Sequence, residues 1–273
     1  MKTLIVTTFI VIQLAVASFA FATPTTVSFG KTTNYWPGYH PTGNAWNFAT
    51  VVGDPNIAGG TVTVDNGKLS SITFDYYTPN NDWEMLSPGN LFINVVKAPG
   101  DVTWDYAVDT YSVPTNRGDT LGQTVTLAPG GYNIYDVSAL GLTSTDVNNT
   151  KYVMSGIDDT GIWSGYYIRE SHPVAIDPNY LSNPLGTVGF SGFGGSASVN
   201  DTTTPFYTGS STYSFDNVDL GSLYGKTIII GWETTCANDV VYETVTIPTP
   251  EPSTLALLGL GLLGVGFLRR RSL

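Results

Sequence analysis

The chain has few charged residues, one cysteine and two histidines. Only 12% of its 273 residues are charged. Because Cys236 has no second cysteine to pair with, the chain can form no internal disulfide, and its fold must depend on a hydrophobic core. His40 and His172 are too far apart for the H-E-x-x-H helix of a zinc protease. These shortages exclude a disulfide-stapled domain and that class of metalloprotease.

Basic residues are especially scarce in the body of the chain. Between residues 24 and 250 there are seven lysines and arginines against 21 acidic residues. A body this acidic repels phosphate backbones and anionic lipid headgroups. The composition therefore excludes nucleic acid as a partner and suits an exported soluble domain.

The familiar catalytic motifs are also missing. The segment Gly189-Phe190-Ser191-Gly192-Phe193 resembles the G-x-S-x-G elbow of hydrolases but ends in phenylalanine. No lysine follows the nearby glycines, as a phosphate-binding loop requires. A glycosidase pair of carboxylates stays open, because 22 acidic residues offer many pairs whose separations the sequence does not give. The sequence predicts a protein that is not an enzyme.

What the chain does have is turn residues and short alternating runs. The clearest case is 61–77, where two alternating stretches flank Asn66-Gly67, a strong hairpin signal. Similar runs recur at 46–52, 91–96, 102–108, 123–127, 132–137, 151–155, 163–169, 226–232 and 240–247. We predict an all-β fold, a single antiparallel β-sandwich of jelly-roll type over residues 23–247. Two smaller sandwiches divided within 110–150 are the alternative, and the composition of 194–212 predicts a long loop.

Both ends of the chain have the character of targeting segments. Lys2 precedes an apolar stretch from Leu4 to Ala17, and Ala20 and Ala22 are the small residues that a signal peptidase requires. Residues 1–22 are therefore predicted to be a helical signal peptide, with Thr23 as the first mature residue.

The C-terminal end combines a proline-rich linker, 248–253, with an apolar helix predicted over 254–273. Residues 254–268 are 15 uncharged residues, fewer than the roughly 20 of a comfortable membrane span. The arginines that follow would stay on the cytoplasmic side of the inner membrane. Because the segment is short for a permanent anchor, a processed sorting signal is the preferred interpretation, and a plain single-pass anchor is the alternative.

Three features of this end, in order, resemble the PEP-CTERM sorting signal of exopolysaccharide-producing Gram-negative bacteria. They are the junction Pro250-Glu251-Pro252, the Gly/Leu-rich helix and the cluster Arg269, Arg270 and Arg271. The resemblance implies recognition by an exosortase, a membrane-embedded cysteine transpeptidase that cleaves near Pro250–Pro252. It further implies transient anchoring in the inner membrane, followed by delivery to the cell surface or the extracellular matrix.

The body has landmarks that resemble uncharacterised PEP-CTERM surface proteins. They lie at 90–94, 104–106, 167–173 and 236–240. This resemblance implies no activity.

Two groups of residues are candidates for binding. Trp163, Tyr167, Arg169 and His172 lie close together in sequence, and aromatic rings with an arginine are suited to stacking on sugars and bonding their hydroxyls. Core packing is the alternative role for these rings, as it is for the second aromatic patch at 35–40.

Asp158-Asp159 places two carboxylates in a predicted turn, where oxygen ligands could hold a structural calcium ion. The segments 216–219 and 238–239 offer similar ligands, whereas the Asp-Pro-Asn turns at 54–56 and 177–179 are better explained by Asx-turn hydrogen bonds.

Together these patterns predict an exported, exosortase-sorted protein of the cell surface or exopolysaccharide matrix with a structural or adhesive role. A carbohydrate-binding module is the main alternative. A polysaccharide-active hydrolase and an ice-binding protein are weaker ones; ice binding requires a regular flat array of threonines, and the TVTV of 61–64 is not repeated in register.

Overall fold

The structure is a computed structural model that describes most of the body. The described residues are 23–31, 36–38, 56–78, 88–110, 131–154, 173–191, 207–233, 240–249 and 261. The predicted signal helix and nearly all of the predicted C-terminal helix lie outside these residues. Within the described part of the chain, no helix is both long and apolar enough to cross a membrane.

The described body consists of twelve strands and two short 3-10 helices. The strands are β1 Thr25–Gly30, β2 Asn56–Asp65, β3 Lys68–Thr78, β4 Leu91–Val95, β5 Tyr106–Val108, β6 Gly131–Asp136, β7 Tyr152–Met154, β8 Pro173–Ile176, β9 Gly186–Ser191, β10 Tyr207–Ser214, β11 Thr227–Glu233 and β12 Val240–Thr246. The 3-10 helices are Ser138–Leu140 and Pro178–Tyr180.

Ten strands form one continuous antiparallel sheet in the order β1-β2-β3-β10-β9-β6-β5-β4-β11-β12. The sheet folds back on itself, since its first and last strands, β1 and β12, lie in contact. Phe74 on β3 stacks on Trp232 on β11 with ring centroids 4.5 Å apart, although five strands separate them in the sheet order. Strands β7 and β8 form a separate antiparallel pair.

The predicted hairpin at 61–77 is confirmed. Asp65 on β2 pairs with Lys68 on β3, and Asn66 and Gly67 form the two-residue turn with φ of 49° and 81°. Positive φ at both positions is the type I′ turn, whose twist matches that of the flanking strands. Ile72 and Phe74 face the core while Asp75 faces solvent, as the alternation predicts.

The main core fills the inside of the rolled sheet. It is built from the inward residues of strands on both sides, among them Val62, Ile72, Ile134, Ile230 and Trp232. Burying a large aliphatic side chain contributes roughly 1.5–3 kcal/mol, so this core is the main source of stability.

A second, aromatic core covers the outer face of β4, β5, β11 and β12. Trp36 packs edge-on against Trp104 and Phe92, with ring centroids 5.3 and 5.5 Å away. Tyr152 and Tyr242 complete the cluster. Strands β4 and β11 are therefore buried on both faces, which explains the unbroken apolar run of 228–230.

The antiparallel pairing gives the sheet two distinct ends. We call the end where β12 finishes the tail end; the β2–β3 turn, the end of β4 and the starts of β1 and β11 lie there. We call the opposite end the loop end. The connections that leave the loop end are 31–55, 79–90, 109–130, 192–206 and 234–239.

The all-β, antiparallel part of the predicted fold is confirmed. The jelly-roll type is not confirmed, because the ten strands form a single hydrogen-bonded sheet. The loop predicted over 194–212 is wrong for its last six residues, since β10 begins at Tyr207 and pairs with both β3 and β9. The predicted domain boundaries stay predictions.

Candidate functional site

The residues that the sequence proposes for ligand binding lie outside the described part of the chain. Trp163, Tyr167, Arg169 and His172 belong to the connection between β7 and β8, and so do Asp158 and Asp159. The sorting residues, 250–252 and 269–271, also lie outside it. The proposed sugar contacts and calcium ligands therefore stay predictions.

Among the described residues, no group of three or more histidine, cysteine, aspartate or glutamate side chains is placed to hold a metal ion. Asp219, in the suggestive segment 216–219, instead bonds the Lys68 ammonium at 2.9 Å and accepts from the Gly221 N–H. Its hydrogen bond from Lys68 is the main cause that lowers the pKa of this carboxyl. Asp177 accepts from the Asn179 N–H at 2.9 Å, which confirms the predicted Asx turn.

Buried polar groups inside the sheet serve to fix strands. The Trp232 indole N–H donates to the Tyr213 hydroxyl at 2.9 Å, and this bond joins β11 to β10 across the core. Thr110 bonds both Tyr213 and the carbonyl of Gly89. Burial raises the pKa of Tyr213, so its phenol stays protonated. Tyr213, Trp232 and Thr110 are all buried, so these three side chains are not accessible to a ligand from solvent. The network therefore stabilises the fold.

The feature best suited to contact a ligand is a hydroxyl-rich outer face of the sheet, which we call the hydroxyl face. It consists of two rows of serines and threonines that run across neighbouring strands in register. The first row contains Thr26, Thr63, Ser71 and Ser214, with Gly189 next in line. The second row contains Ser28, Thr61, Thr73, Thr212 and Ser191.

The two rows of the hydroxyl face are accessible to solvent and contain no charged side chain. All nine hydroxyl side chains are exposed or half-buried. Neighbouring strands lie about 4.8 Å apart, and residues two apart on a strand about 6.8 Å, so the rows form a regular grid. Neighbouring hydroxyls bond each other along the rows: Thr26 to Thr63 and Thr73 to Thr212, each at 3.1 Å. Such mutual bonds hold the side chains in fixed positions.

The alternation of the strands creates this face. On β2 and β3, Val62, Ile72 and Phe74 point into the core, which leaves the threonines between them on the outside. The TVTV of β2 is visible in the sequence, whereas β9 and β10, which carry Ser191, Thr212 and Ser214, are not among the predicted strands. TVTV itself is not repeated, but neighbouring strands place serines and threonines opposite its two threonines.

Comparison with known proteins bears on the C-terminal end alone. Residues 248–271 match the PEP-CTERM protein-sorting motif. No curated protein and no solved structure matches the chain. The match supports the resemblance of the tail, while the similarity of the body to other such proteins is not shown. The chain therefore carries a PEP-CTERM tail, the mark of an extracellular surface protein that an exosortase processes and sorts.

Proposed function

We propose that the delivered body has a structural and adhesive role in the exopolysaccharide matrix, with the hydroxyl face as its contact surface. The observation that carries this proposal is the pair of in-register hydroxyl rows across five strands. Each hydroxyl can donate and accept, which matches the hydroxyls of a sugar polymer.

The charge of the protein indicates which kind of polysaccharide the hydroxyl face would bind. The rows contain no charged side chain, and the body as a whole is strongly acidic. An anionic polysaccharide would be repelled by the body and would find no cation on the hydroxyl face. The face therefore suits a neutral polysaccharide, bound through many weak hydrogen bonds.

Replacing Thr73 and Thr212 together by valine should weaken retention on insoluble neutral matrix polysaccharide about tenfold, since each lost hydrogen bond is worth about 0.5–1.5 kcal/mol. Valine keeps the branched shape and removes only the hydroxyl. Thr227 and Thr246 form a matched control pair, also bonded at 3.1 Å but between β11 and β12. Co-sedimentation of the mature protein measures the effect. Equal losses from both pairs would contradict the proposal.

The same experiment separates a carbohydrate-binding module built on the predicted 163–172 segment. In that case Trp163→Ala would abolish sedimentation, whereas the two valines on the hydroxyl face would leave it unchanged. A hydrolase would release reducing ends from the polymer during the incubation, and we propose that none appear.

Ice binding is a second candidate function, because the two rows place many hydroxyls side by side on one exposed or half-buried face. Ice binding would be favoured if the unaltered protein showed thermal hysteresis and the double variant Thr73→Val, Thr212→Val did not. If the unaltered protein showed no thermal hysteresis, polysaccharide binding would remain as the proposed function.

The tail gives a separate prediction about processing. Mass spectrometry of the surface-exposed protein should find a C-terminus near Pro250–Pro252, because the sorting motif implies exosortase cleavage there. Replacing Arg269, Arg270 and Arg271 by alanine should leave the precursor uncleaved. An intact Leu273 on the unaltered surface protein would contradict processing.

A further inference from the structure

The C-terminal strand is fixed up to the residue at which the sorting motif begins. Ile247 is fully buried; its N–H donates to the Lys226 carbonyl at 2.8 Å, and its own carbonyl accepts from Gly225 at 3.0 Å. The motif match starts at the next residue, Pro248. No spacer therefore separates the folded body from the sorting motif.

The short connection limits how far the junction can be from the body. Pro250 and Pro252 follow Ile247 by three and five residues, and an extended chain spans at most about 3.5 Å per residue. The junction thus lies within about 18 Å of Ile247. An enzyme that binds residues on both sides of a bond in this junction is thus held within about 18 Å of the tail end of the sheet.

The N-terminal strand begins at the same end. Thr25 opens β1 and pairs with Val64, next to the β2–β3 turn, and β1 lies against β12. The predicted signal peptide and the predicted apolar tail therefore leave the body at one end. Both can be in the same membrane while the sheet between them is fully formed.

From this geometry we infer that the transpeptidase acts on a folded body and that the tail end of the sheet is the surface that docks against it. The inference rests on the processing that the sorting motif implies. The loop end then points away from the membrane, since β3 alone has 11 residues and is about 35 Å long.

Photo-crosslinking in cells tests this docking. A photoreactive amino acid replaces Lys226, an exposed residue at the tail end, or Ser191, an exposed residue at the loop end, in the full-length precursor. The transpeptidase carries an alanine in place of its nucleophilic cysteine, so that the complex accumulates. We expect a covalent adduct from position 226 and at least fivefold less from position 191.

A spacer inserted before the sorting motif provides a second test of the docking. Twelve glycine and serine residues inserted between Ile247 and Pro248 should reduce the adduct from position 226 at least fivefold, while active transpeptidase still cleaves the tail. Equal adducts from both positions, or cleavage without any adduct from position 226, would overturn the inference. Failure of processing itself is distinguished by mass spectrometry, because the unaltered protein would then keep Leu273.

Discussion

Replacing Trp232 by alanine should lower the free energy of unfolding by about 4 kcal/mol, the middle of the range for large aromatic truncations in cores. The side chain is fully buried, stacks on Phe74 across the rolled sheet and donates to the Tyr213 hydroxyl. Alanine would leave a cavity between the two halves of the sheet and remove a donor from buried Tyr213. Chemical denaturation of the mature protein measures the loss, which corresponds to about 10 °C in melting temperature.

Two further variants separate the contributions of Trp232. Phenylalanine at this position keeps a six-membered ring against Phe74 but loses the five-membered ring with its N–H, so it should cost about 1–2 kcal/mol. Tyr180 is an aromatic residue with 41% exposure, and Tyr180→Ala should change stability by less than about 0.5 kcal/mol. If Trp232→Ala cost no more than Tyr180→Ala, the closure of the sheet through this contact would be wrong.

Sequence patterns predict those strands whose inward residues are apolar and alternate regularly. The hairpin of β2 and β3 combines such alternation with Asn66-Gly67, and the apolar run of β11 is equally clear. Strand β10 lacks this signal, because its inward positions include Ser211, which is fully buried beside Tyr213. Its stability comes from pairing with β3 and β9, and long-range pairing leaves no local pattern.

The hydroxyl face was hidden from the sequence for a related reason. Its rows depend on which residue of one strand lies opposite which residue of the next. Ser28 and Ser191 belong to the same row, although most of the residues of the domain lie between them in sequence. The register of β2 and β3 depends on the hairpin turn and on two bulges, at Ile57/Gly59 and Thr63/Val64. Of these features, only the turn can be predicted from the sequence.

Close packing at Gly231 leads to the other large effect expected on stability. A methyl group at this position on β11 would lie 2.6 Å from the Trp36 ring and 2.8 Å from the Trp104 ring. Both rings are fully buried and locked in the aromatic cluster over β4 and β11, so neither can withdraw. We expect Gly231→Ala to lower the free energy of unfolding by about 3 kcal/mol, the upper part of the usual range for overpacking.

Gly189 provides the matched control for this prediction. It also lies within a strand of the sheet, but a methyl group there would meet its nearest neighbour, the Ser214 Cβ, at an ordinary 3.6 Å. Alanine has less conformational freedom than glycine in the unfolded chain. Gly189→Ala should therefore leave the free energy of unfolding unchanged or raise it by about 0.5–1 kcal/mol. The two substitutions add the same methyl group, and in the same denaturation experiment only Gly231→Ala should lower the free energy of unfolding. If both were neutral, Trp36 would not lie against β11, and its 36–38 segment would have to pack elsewhere.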